Sequence, residues 1–134
     1  MKRLVVASAG LIGSVAAADN LQGVDRLLCA TAQVIACVEQ DDCYTIAAED
    51  LDVPEFVVVD IRGKTLSTTK ASAQNRSTPI ASLIRSDGNI YLQGIEGGRA
   101  FSFVIHEETG HVTAAIARDG VAVTVFGVCT DADI

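Results

Sequence analysis

From Glu55 onward apolar residues fall on alternate positions in short runs, and each run ends in a turn signal. That is the rhythm of consecutive antiparallel strands. Arg99 to His106 carries it most clearly, with Phe101, Phe103 and Ile105 on one face and Ser102 and Val104 on the other. His111 to Arg118 places Val112, Ala114 and Ile116 inward, and Val121 to Cys129 aligns Val121, Val123 and Val125 with Gly127 and Cys129. Further strands are expected over Glu55 to Ile61, Thr65 to Thr69, Pro79 to Arg85 and Ile90 to Glu96. The turns between them are Arg62-Gly63-Lys64, Asp87-Gly88-Asn89, Gly97-Gly98, Glu107 to Gly110 and Asp119-Gly120, with the glycine, Asn and Asp content that hairpins need.

The pattern before residue 55 is weaker. Ala30 to Val38 reads as a strand that puts Cys29 and Cys37 on one face, with Tyr44 to Ala47 returning beside it; a helix is the alternative there. Asn20 to Leu28 supports no more than a short helical turn. Pro54 stops any helix running through Ala47 to Val53, because the residue before proline avoids the α region, so that stretch is expected to be a linker loop. Hairpin-length connections make sequence neighbours sheet neighbours. The fold class is therefore all-β: one antiparallel up-and-down meander of seven to nine short strands, a small closed or partly open barrel, with a two-layer sandwich as the alternative. Phe and Tyr are few, and a core of Val, Ile, Leu and Ala fills a narrow barrel more readily than it lines a wide pocket.

The first eighteen residues change where this domain is expected to work. Lys2 and Arg3 precede an uncharged, mostly apolar run from Leu4 to Val15, and Ala16-Ala17-Ala18 supplies a small-residue cleavage site, together the pattern of a secretory signal peptide. Residues 1–18 are thus a leader and 19–134 one β domain, located in the periplasm or secreted. Loss of Lys2 and Arg3 takes the formal charge from −7 to −9. So acidic a chain is a poor match for nucleic acid or for anionic lipid, both of which need a basic surface. No membrane insertion is expected after cleavage.

Four cysteines, all beyond the leader, read as two disulfides in an exported chain. Cys37 and Cys43 bracket a polar turn and are near enough to pair. Cys29 is then left for Cys129, a bridge that ties the first part of the domain to its last strand.

Candidate chemistry is sparse. Ser67 to Thr78 is a long polar segment without an acidic residue, and Lys70, Asn75 and Arg76 within it are candidate ligands for a carboxylate or phosphate. His106 and His111 flank the Glu107 to Gly110 turn, but five residues apart they miss the H-E-x-x-H spacing, so a metal-dependent hydrolase built on them is only an alternative reading. There is no G-x-S-x-G and no cysteine without an expected partner. The adjacent carboxylates Asp41-Asp42, Glu49-Asp50 and Glu107-Glu108 read as hydrated loop residues, and Asp60 as a strand-end residue before the Arg62-Gly63 turn. No catalytic residue, metal site or cofactor is expected.

Pro54 to Thr130 includes Phe56-Val57-Val58-Val59-Asp60, Asn75-Arg76-Ser77-Thr78-Pro79-Ile80, Leu92-Gln93-Gly94, Ser102-Phe103-Val104-Ile105, Glu108-Thr109-Gly110 and Phe126-Gly127-Val128-Cys129-Thr130. In these motifs the chain resembles a family of small exported proteins of proteobacteria. They are strand and turn punctuation, so the resemblance implies fold and location and no activity. The function expected is non-enzymatic binding of a protein or small-molecule partner through loops at one end of the barrel. Inhibition of a basic hydrolase such as lysozyme is one specific alternative, favoured by electrostatic steering alone.

Overall fold

A computed structural model of the chain describes residues 20–72 and 74–132; the leader expected at residues 1–18 lies outside them. Ten strands form one antiparallel sheet: β1 (Arg26–Val38), β2 (Cys43–Ile46), β3 (Phe56–Asp60), β4 (Thr65–Thr68), β5 (Ser77–Pro79), β6 (Ser82–Ser86), β7 (Asn89–Glu96), β8 (Arg99–His106), β9 (His111–Arg118) and β10 (Val121–Asp131). A 3-10 turn at Ala48–Leu51 interrupts the stretch expected to be a linker. The strand order is β5-β4-β3-β1-β10-β9-β8-β7-β6, with β2 also paired to β1. First and last strands therefore meet in the middle of the sheet, and the meander curls into a half-barrel whose two edges are β5 and β6.

Those edges arise where the sequence pattern suggests one strand, Pro79 to Arg85. Pro79 lacks the N–H that a central strand needs, so it ends β5 against β4. Two residues then carry the chain across the opening: the Ile80 amide donates to the Lys64 carbonyl (2.8 Å) and the Ala81 amide to the Gln93 carbonyl (2.9 Å). Pairing resumes on β7.

The register of β1 differs from a simple alternation. Cys29 faces Cys129, Thr31 faces Gly127, and Gln33 rather than Ala32 faces Phe126, so Ala32 is the extra residue of a β-bulge. The bulge reverses the parity of the strand. Cys29, Val34 and Ala36 all point into the core, whereas Cys37 points outward, correcting the expectation that Cys29 and Cys37 share a face. Cys37 instead bonds Cys43, its register partner on β2, and Cys29 bonds Cys129. Gly127 is required at the bulge, since a side chain there would overlap the Ala30 carbonyl oxygen.

The core divides in two. One cluster gathers Leu27, Val59, Ile90, Leu92, Ile105 and Cys129, and the other Val34, Ala36, Ala114, Val123 and Val125. Leu21, fully buried, plugs one end of the half-barrel, its amide donating to the Glu107 carbonyl (2.7 Å). Arg85 reinforces that end: Nε donates to Glu107 Oε2 (2.9 Å) and a terminal nitrogen to the Leu21 carbonyl (2.9 Å). Glu107, read from the sequence as hydrated, is buried, while Glu108 stays exposed.

Candidate ligand-binding cavity

Inside the half-barrel, between β3 and β4 on one side and β8 to β10 on the other, lies a cavity of about 120 Å3. Its walls are the inward residues of those strands, among them Val57, Leu66, Phe101, Phe103, Val112, Ala114 and Val125. The period-two patterns of β8, β9 and β10 put them there. Phe101 fits because its cross-strand partner is Gly94; a Cβ at Gly94 would occupy the space of the phenyl ring. Phe101 and Phe103 meet edge to face with ring centres 5.7 Å apart. The expectation of a filled core thus needs correction, because a half-barrel leaves its open side unpacked.

A polar cluster stands at the edge of this space. Glu96 ends β7 and Arg99 begins β8, so the Gly97-Gly98 turn makes them cross-strand partners. Arg76, before β5, reaches Glu96 Oε1 at 2.7 Å, Arg99 reaches the same oxygen at 3.2 Å, and the buried Thr78 hydroxyl donates to Oε2 at 2.7 Å. Burial by itself would raise the Glu96 carboxyl pKa. Hydrogen bonds from Thr78 and Arg76 and the positive charges of Arg76 and Arg99 outweigh it and hold the group below its ordinary value. Two guanidinium groups against one carboxylate leave the cluster with a formal excess of one positive charge.

Arg76 also anchors the 3-10 segment, donating to the Asp52 carbonyl (2.9 Å). The Thr31 hydroxyl donates to the Pro54 carbonyl (3.0 Å). Asp52, Val53 and Pro54 consequently form part of the cavity wall, and a second hollow of about 180 Å3, lined by Asp50, Leu51, Arg118, Val121 and Val123, shares Asp52, Val53, Arg99 and Ile116 with the first. The segment expected to be a linker acts as a strap between the two spaces. Ile46, Ala48, Leu51 and Val53 pack on the second core cluster beneath it.

Of the residues expected to bind a ligand, the structure brings only Arg76 to the cavity. Lys70 and Asn75 are exposed in the β4–β5 loop and do not line it. That loop is folded back on itself: the Thr68 hydroxyl donates to the Gln74 carbonyl (2.8 Å) and accepts from the Arg76 amide (3.0 Å). His106 and His111 are exposed at the β8–β9 turn, where His106 Nδ1 lies 3.1 Å from the Thr109 hydroxyl and accepts from the Thr109 amide. Among the described residues no group of three or more His, Cys, Asp or Glu side chains is placed to hold a metal ion. Sequence reasoning missed Glu96, Arg99 and Thr78. The Glu96 and Arg99 pair was within its reach, since the Gly97-Gly98 turn puts them opposite one another; contact with Arg76 and Thr78 depends on how the two arms of the sheet curl together.

Comparison with protein-family models, with curated proteins and with solved structures finds no match for the chain.

Proposed function

We propose that this protein is a non-enzymatic exported binding protein that takes up a small, mostly apolar molecule in the half-barrel, with the ligand's anionic end at Arg99. The observation that carries this reading is an apolar cavity of about 120 Å3 bordered by the Arg76, Glu96 and Arg99 cluster. An engineered apolar cavity of about 150 Å3 takes up benzene, so the space suits a single ring or a short aliphatic chain. Arg99 contributes one terminal nitrogen to Glu96, and its other N–H donors provide a bidentate edge for a carboxylate. The two disulfides fit an oxidising compartment. The leader pattern and the resemblance to small exported proteobacterial proteins support the periplasm or the exterior.

Benzene, hexanol and hexanoate, titrated separately and followed by calorimetry and protein NMR, test the reading. Hexanoate has eight heavy atoms, and at roughly 0.5–1 kcal/mol each its Kd falls between about 1 mM and 1 µM. Ala114→Leu, which fills the cavity, is expected to abolish binding of all three. Arg99→Gln should weaken hexanoate by more than about tenfold, since two charged hydrogen bonds are lost, while leaving hexanol unchanged. A natively folded protein that binds none of the three probes saturably would overturn the proposal.

A further inference from the structure

The outer face of β6 to β10 lacks the charge that a solvent-facing sheet ordinarily carries. Register fixes which positions point outward: Ile84, Tyr91, Val104, Thr113 and Phe126 form one continuous cross-strand row over all five strands. A second row runs through Ser82, Gln93, Ser102, Ala115 and Thr124, and a third through Ile95, Ala100, Ala117 and Ala122. No outward position of these strands holds Asp, Glu, Lys or Arg. The charged residues they do contain, Arg85, Glu96, Arg99, Arg118 and Asp131, all fall on the opposite parity. In a chain that is 20% charged, such a face should hold several charges. Ile84 and Ile95 are 55% and 74% exposed, and Tyr91, Val104, Phe126 and Val128 are exposed as well.

We infer that this face is a self-association surface on which a second copy of the chain docks. Charge selects that occupant. Among the described residues the acids lie on the turns and loops, the strap, the remaining strands and the inward parity of β7 and β10, so a partner recognised by opposite charge would be drawn there and away from this face. Two copies meeting face to face bury no charge and leave their acids in solvent, and because both contribute the same patch the contact closes as a two-fold dimer. Five strands about 4.8 Å apart and eight residues of about 3.3 Å give roughly 600 Å2 per copy. The total, at most roughly 1,200 Å2 because the outer face of the half-barrel is convex, lies at the low end of specific interfaces and suits a weak dimer. Small residues between the larger ones in the second and third rows let two sheets approach at the ordinary spacing of about 10 Å.

Sedimentation equilibrium of the purified, oxidised protein tests this at low and at high salt. A concentration-dependent dimer is expected, tighter at high salt because screening relieves repulsion between two copies of net charge −7 or beyond. Thr113→Glu and Val104→Glu each place like charges at the centre of the contact and should weaken dimerisation more than about hundredfold, with far-ultraviolet dichroism unchanged. Two separate variants guard against one that fails to fold. A wild type that stays monomeric at every concentration would mean that the face serves another occupant, and the inference fails; a dimer indifferent to both substitutions is equally contrary to it.

Discussion

Glu96 shows how a single side chain acquires meaning from neighbours far away in the chain. Its carboxylate is held in ionised form by Arg76, Thr78 and Arg99, two of them about twenty residues upstream. Because the folded-state pKa lies below the ordinary 4.5, the group contributes stability above that value and loses it as pH falls through the depressed one. Chemical denaturation of the protein and of Glu96→Gln should therefore give a constant difference near neutral pH that shrinks in acid, below about pH 4.5. A difference that grew on acidification would contradict the sign. Glu107 and Glu108 make the same point from the other direction. Nothing in their composition separates these adjacent acids, yet opposite facing buries one against Arg85 and leaves the other in water.

Among the elements, β8, β9 and β10 were legible because an antiparallel strand with one wet face announces itself by period two. β1 was only partly so. A bulge inserts one residue and reverses parity, and the local sequence around Ala32 contains no Gly, Asn or Asp to mark it. The segment before β1 was less legible still, with few periodic apolar residues, yet Leu21 is fully buried and caps one end of the core. Leu21→Ala should cost about 2–5 kcal/mol of unfolding free energy by urea denaturation, as for other buried leucines. A loss under about 1 kcal/mol would mean that the plug can be dispensed with.

At the scale of the molecule, the two disulfides do different work. Cys37 and Cys43 are six residues apart and clip one hairpin, whereas Cys29 and Cys129, separated by 100, join the two arms of the sheet where they meet. On loop-closure grounds the long bridge contributes about 4.7 kcal/mol and the short one less than about 3 kcal/mol. Replacing Cys29 and Cys129 with alanine should lower the thermal midpoint further than replacing Cys37 and Cys43. The reverse order would show that the arms hold together without covalent help.

By itself the chain determined its strand rhythm, its turns, its disulfide partners and its all-β class, because each depends on residues near one another or on the small number of ways four thiols can pair. The tertiary structure alone decided the bulge, the break between β5 and β6, the burial of Leu21 and Glu107, the gathering of Arg76, Thr78, Glu96 and Arg99, and the hollow beside them. Those features depend on how far the sheet curls and where its edges stop. Curvature and closure are sums of small twists over every strand, and no local pattern of side chains records such a sum.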